Sequence, residues 1–421
     1  MCFYTTLEKR LVKIMTFFEL KKIFVKSSSK IALFILVGVI IVLSFLTIGS
    51  IEYVDSSGNH HTGITAYNKL ADAKEAWKGN VTESVLEKVI EENSQINTSE
   101  EYLSKDVNEN NIAFSKKQGF ADIKEMINMS FSDFQEYDYY KADSVSTAEL
   151  KDFYSNRVES LKKWLYSDSI SDTFSETEKA YLISKYEQIE TPFYYEYAGS
   201  WVAMLDYLPS FIMLISLIGA FLVAGIFSDE FRQKADSIFF STKHGRQKAI
   251  KSKINAGFIC ITTIYWIPLA IYSMIVFICL GTDGANCLIQ TGLGNWKSFY
   301  NITFLQEYIL TIIGGYIGVL FMLTLSMLIS AKTRSSVVAV TTPFILLLIP
   351  SFLSNFPVLS KILGILPDQL LQISSAVNNF NLYQIGEKVI GAIPILFIVY
   401  LIFYFLLVPF LYRTYKKAEI K

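Results

Sequence analysis

Histidine is nearly missing from this chain of 421 residues: His60 and His61 are adjacent, His244 stands alone, and no His-based metal set with the usual ligand spacing can be drawn. Cysteine is as scarce. Among Cys2, Cys260, Cys279 and Cys287 only the last two are close enough in sequence to suggest a bridge, and Cys279 lies in an apolar run, so free thiols are expected. There is no GxxxxGK[ST] phosphate loop, no HExxH, no nucleophile elbow and no dinucleotide fingerprint, which removes the usual routes to ATP hydrolysis, zinc proteolysis, acyl transfer and hydride transfer on this chain. Enzymatic activity, a cofactor on the chain and a nucleic-acid partner are all not expected.

Charge is absent over long distances. Residues 31 to 51, 207 to 228, 254 to 282, 308 to 331, 335 to 360 and 389 to 412 contain no charged residue, in runs of 21, 22, 29, 24, 26 and 24. A bilayer-crossing helix needs about 20 mainly apolar residues, so each run is long enough. Such runs predict six spans, the fifth at 335–356 and the last at 389–412. Residues 1–30 hold seven Lys or Arg and residues 229–253 hold seven more, whereas 283–307 hold only Lys297. Basic residues stay on the cytoplasmic side, which places both termini there and the protein in the cell membrane. The run at 31–51 is longer than a signal-peptide core and passes Thr47-Ile48-Gly49-Ser50 without a cleavage pattern, so it reads as an anchor. Before it, Ile14, Phe17, Phe18, Phe24 and Val25 recur at helical spacing among lysines, predicting a helix in the headgroup layer, with Met15 a second candidate start.

The near-neutral total conceals two opposed halves. Residues 52–206 carry 29 acidic and 15 basic side chains, net −14, leaving +13 elsewhere. That segment is expected to be an extracytoplasmic, mainly helical domain with a core of its own. Capping boxes are predicted at Thr98 with Glu101, Ser146 with Glu149, and Ser175 with Glu178. Apolar stripes follow at Leu150, Phe153, Tyr154, Val158, Leu161 and Leu165, and at Val85, Leu86, Val89 and Ile90. Phe131, Phe134, Tyr137, Tyr139 and Tyr140 are assigned to that core. The fold class is thus all-α: a six-span membrane protein with a helical extracytoplasmic insert.

Within the spans, Gly314, Gly315 and Gly318 offer a small-residue face for close helix packing, and Pro268, Pro343 and Pro350 are candidate kinks. Asp206 and Glu307 are expected just outside spans 2 and 4, at interface depth, which leaves no charged group at midplane for ion coupling. The loop from Ser228 to Lys253 carries the clearest pattern. Ser228 is read as a helix cap, Asp229 and Glu230 fall in the first turn, and Phe231, Ala235, Ile238 and Phe239 fall on one face. After a break at Ser241 to Gly245, Arg246, Lys248, Lys251 and Lys253 lead into span 3. Such a helix either lies on lipid or docks into a partner groove.

With these features the chain resembles the permease subunits of type-2 ABC exporters, whose membrane fold is shared with ABCG-type transporters. The resemblance covers the interfacial elbow helix in 1–30, six spans, the coupling-helix loop at 229–253, the short turn between spans 4 and 5, and a partly re-entrant segment in 357–388, marked by Pro357 and Leu366-Pro367, before span 6 and the tail 413–421. It implies that Glu230, Phe231, Ile238, Phe239, Arg246 and Lys253 couple the chain to a separate ABC ATPase subunit, that ATP and Mg bind there, and that a second, identical or homologous permease completes the unit. Export of a peptide, drug-like or lipid-like amphipathic compound is the implied activity, including antimicrobial-peptide export or immunity, because the large insert between spans 1 and 2 is similar to that of some bacterial permeases linked to peptide antibiotics. Two alternatives stand beside it. One is a mechanotransmitting permease of the MacB or FtsX kind, which has four spans. The other is a non-transporting sensor with an external ligand domain.

Overall fold

The computed structural model describes residues 2–242, 245–292, 294–353 and 359–418. Among the described residues, five helices are long and apolar enough to cross a membrane: Ser27–Gly49, Gly199–Val223, Gln247–Leu280, Phe304–Thr333 and Ala392–Lys416. The expected fifth span is an apolar helix, Ser336–Leu353, that runs through Pro343 and Pro350 and is not among those five. Proline removes a backbone donor and crowds the preceding turn, so two within this stretch weaken a continuous helix.

Helix boundaries follow local chemistry more than the ends of the uncharged runs. The second long helix begins at Gly199, eight residues before its uncharged run, so Asp206 lies inside it rather than before it. The helix Phe304–Thr333 starts with a reciprocal cap in which Thr303 and Gln306 satisfy each other's backbone amides, placing Glu307 in its first turn. Its other end closes on Arg334 in the left-handed conformation. The N-terminal helix Cys2–Val25 is separated from Ser27–Gly49 by one extended residue, Lys26. Along Ser27–Gly49, Leu36, Ile40, Leu43 and Thr47 are buried while Phe34, Ile35, Ile41 and Phe45 are exposed. Apolar side chains on the outside as well as the inside suit hydrocarbon surroundings.

The expected glycine face packs closely. A Cβ at Gly315 would come within 2.6 Å of the Tyr265 hydroxyl, whereas one at Gly314 or Gly318 would meet Ile373 at 2.9 Å or Leu370 at 3.1 Å. Gly314 and Gly318 thus receive the short helices Pro367–Leu371 and Ile373–Ala376, and Gly315 receives the third long helix. Leu370, Ile373 and Val377 are fully buried against Leu205, Ile317, Ile393, Leu396 and Tyr400. Part of the expected re-entrant segment, Pro357 included, lies outside the described residues.

The polar insert is mainly helical, with two small antiparallel pairs, Glu52–Val54 with His60–Thr62 and Gly79–Asn80 with Tyr194–Tyr195. The cap boxes at Ser146 and Ser175 form. The one expected at Thr98 does not: its hydroxyl donates to the Ser94 and Gln95 carbonyls at the end of the preceding helix, and Ser99 caps the next. Of the aromatic group, Phe134 is buried and stacks on Trp164, but Tyr137, Tyr139 and Tyr140 are exposed. They fall in the irregular segment after the helix Ala121–Phe131, beyond the face that meets the core.

Contrary to expectation, the insert does not close its own core. Trp296 packs among Phe153, Phe193 and Val89, and Phe299 and Leu382 pack with Leu161, Leu182 and Tyr186. The Arg157 side chain, 3% exposed, donates through Nε and Nη2 to the Trp296 carbonyl and through Nη2 to the Ser298 carbonyl, while its guanidinium stacks 3.9 Å from the Tyr186 ring centroid. Leu288, Trp296, Phe299 and the hairpin Leu382–Gly391 therefore complete a domain that the linear sequence assigns to 52–206 alone.

Candidate functional site

Where the N-terminal helix, the loop after the second long helix and the start of the third converge, seven charges share one partly buried cluster. Lys253, 1% exposed, donates to Glu230 Oε1 at 2.7 Å, to Glu19 Oε2 at 3.2 Å and to the Ile226 carbonyl at 2.7 Å. Three acceptors match the three hydrogens of an ammonium group. Lys22 bridges Glu19 at 2.9 Å and Glu230 at 3.6 Å, and Tyr415 donates to Glu230 Oε2 at 3.4 Å. Beside it, Asp229 pairs with Lys26 and, at 3.0 Å, with Arg232. Burial raises the Glu230 pKa, but the ammonium groups of Lys253 and Lys22 outweigh it, leaving a net value below the ordinary range. Every one of the three carboxylates has at least one cationic partner, so a cluster that would be prohibitive unpaired is tolerated.

The loop itself differs from one amphipathic helix. It forms two short pieces, Asp229–Arg232 and Asp236–Ser241, broken at Lys234, whose φ is 54°. That left-handed residue turns the chain back so that Ala235 N–H donates to the Glu230 carbonyl at 2.8 Å. The break rotates the second piece. Phe231 and Phe239 consequently face inward: Phe231 packs on Phe240 and Tyr415, and Phe239 lies 6.1 Å from the Tyr415 ring and 5.5 Å from the Lys253 ammonium. Ile238 is 71% exposed. The expected common face of Phe231, Ile238 and Phe239 does not exist. Ser228 does not cap, its hydroxyl donating to the Ala224 carbonyl instead, and the Arg246 side chain lies outside the described residues.

Sequence reasoning found Glu230 and Lys253 but missed Glu19, Lys22, Lys26, Asp229 as an ion-pair member, and Tyr415. A signal for Glu19 was available, since it is the single acid between residues 11 and 30. Nothing local marked Tyr415. Next to the cluster, a cavity of about 670 Å³ is lined by Phe231, Arg232, Asp236, Arg334 and Val337, with the Arg334 guanidinium 4.5 Å from the Phe231 ring. The turn after Phe304–Thr333 is thereby in contact with the loop.

Two further cavities lie away from it. One of about 330 Å³ is lined by Asp206, Glu307, Asn295, Ser374 and Asn378. Glu307 is 1% exposed, and its Oε2 is among the buried oxygens with no hydrogen-bond partner among the described residues. Glu307 thus lies in the first turn of the helix Phe304–Thr333, covered by protein, rather than just before the span. The other, of about 430 Å³ in the insert, is lined by Tyr102, Phe114, Lys117, Lys124, Tyr139 and Tyr140. Burial, reinforced by Lys124, pulls the Lys117 ammonium down to about 8. Cys260, Cys279 and Cys287 are free thiols, so the possible 279–287 bridge is not formed.

These helices define a mainly helical membrane protein. No protein-family model matches the chain, and no curated protein matches its sequence.

Proposed function

We propose that the chain is the permease subunit of an ATP-driven exporter of the type-2 ABC kind, with both termini cytoplasmic, the insert outside the cell membrane, and the 229–241 loop receiving force from a separate ATPase. The helix Ser336–Leu353, with its two prolines, serves as the fifth of six spans in this reading. The observation that carries it is the Lys253 cluster. A surface loop that merely connected two spans would not need a buried, fully used ammonium group, whereas a loop that transmits displacement does. Through Lys253, Glu19, Lys26 and Tyr415, a push on 229–241 reaches the third long helix, the N-terminal helix and the last helix together.

Ile238 supplies the exposed apolar contact. Placing a photo-crosslinker at Ile238 in the full chain is expected to capture a protein bearing a GxxxxGK[ST] loop, and Ile238→Asp is expected to lose that protein on co-purification while the permease stays inserted. Equal recovery of the ATPase from wild type and Ile238→Asp would remove the coupling assignment. The ligand-sensor alternative draws on one observation, the aromatic cavity of the insert, and would be favoured if no ATPase is captured at all.

A further inference from the structure

The largest of the cavities described here, about 810 Å³, lies between the N-terminal helix and the start of the third long helix. From the third helix Lys248, Lys251, Asn255, Phe258 and Ile259 line it at i, i+3, i+7, i+10 and i+11, one helical face that runs from basic through polar to apolar. From the other wall come Val12, Lys13, Thr16, Phe17 and Leu20. The two walls are joined directly, since Ser252 donates to the Val12 carbonyl at 3.2 Å. Over ten residues the rise of a helix is about 15 Å, the scale on which a bilayer passes from headgroup to acyl chain.

We propose that this groove is a binding site for one anionic phospholipid, its phosphate among Lys13, Lys248 and Lys251 and its acyl chains along Leu20, Phe258 and Ile259. Three ammonium groups and no carboxylate line the groove among the described residues, so an anionic headgroup is attracted and the trimethylammonium of a choline lipid is repelled. Glu19, the acid within the stretch of that helix that lines the groove, is engaged by Lys22 and Lys253 and is not itself part of the lining. The exposed Ile14, Phe17 and Phe18 flank the basic end and give the N-terminal helix its own hold on the same leaflet. A continuous polarity gradient distinguishes this groove from an apolar docking site for a protein helix, which would not need lysines at one end alone. The assignment is independent of the exporter reading, because it requires only that the third long helix enter a bilayer.

The test uses the full chain in vesicles of equimolar phosphatidylglycerol and phosphatidylcholine, followed by native mass spectrometry of the released protein. A lysine near an anionic surface is worth about fivefold in affinity. Retained phosphatidylglycerol should exceed phosphatidylcholine by more than about tenfold, and Lys13→Gln/Lys248→Gln/Lys251→Gln should bring the two near parity. A control of equal charge, Lys21→Gln/Lys332→Gln/Lys417→Gln, removes lysines that do not line the groove and should keep the preference. Equal retention of both lipids by the wild type, or equal loss in both triple variants, would overturn the site. Displacement of the lipid by soluble glycerol phosphate would show that the lysines read a free phosphate, and would overturn the lipid assignment too.

Discussion

Lys253→Met is the most informative single change. At the observed 2.7 Å between Lys253 Nζ and Glu230 Oε1, Coulomb's law with an effective dielectric of about 20 gives an attraction of roughly 6 kcal/mol. Most of that offsets the desolvation of two buried ions, so the pair as a whole contributes little. Removing only the ammonium is different. The Glu230 and Glu19 carboxylates, with side chains 10% and 13% exposed, would then share a pocket with Lys22, itself 57% exposed, as the remaining contact cation. The Ile226 carbonyl would lose its donor as well. Together these predict a loss of about 3–5 kcal/mol. Lys253→Met/Glu230→Met removes the ion pair entirely, leaves Glu19 with Lys22, and should recover to within about 1–2 kcal/mol of wild type. Denaturant titration in a mild detergent, read by fluorescence and by far-ultraviolet circular dichroism, measures both. A single variant that loses less than about 1 kcal/mol, or a double variant no better than the single, would refute the argument that Lys253 neutralises buried carboxylates.

The pH dependence follows with a definite sign. Because the folded Glu230 pKa is depressed below the ordinary 4.5 of a glutamate, its contribution is complete above that value and is lost as the pH falls through the lowered one, so acid titration should weaken wild type more than Glu230→Gln. Arg157→Met takes both side-chain hydrogen bonds from the buried Trp296 carbonyl, while Ser298 keeps only its bond from Gln290, and should cost about 3 kcal/mol, read as earlier proteolytic cleavage within 283–303. Gly315→Leu must displace Tyr265 and Ile212 and should abolish stable expression, whereas Ala at Gly49, where a Cβ meets nothing within 4 Å, should be tolerated. Glu307→Gln removes a buried carboxylate with an unpartnered oxygen and should be neutral or stabilising by about 1 kcal/mol in the same titration; a large loss would mean that Glu307 has a partner in the membrane. Phe239→Asp should destabilise the chain while Ile238→Asp does not, since only Phe239 packs against Tyr415.

Periodicity and the absence of charge determined the helical character and the long apolar segments, because burying a bare backbone in hydrocarbon leaves a helix few alternatives. The caps at Ser146 and Ser175 were equally legible, each depending on residues three apart. Glu230 and Lys253 were visible as candidates through the charge pattern of their loop. What tertiary structure alone decided depends on contacts distant in sequence. Glu19 lies 234 residues from Lys253, and Tyr415 lies 185 from Glu230. The turn at Lys234 reversed the sense of the Phe231 and Phe239 face, because a single left-handed residue ends the periodicity on which the helical reading rested. Likewise the limits of the insert could not be read from its charge, since Trp296, Phe299 and Leu382 enter its core from segments that follow the next helices. Sequence pattern specifies which faces are apolar; only the packed structure specifies what covers them.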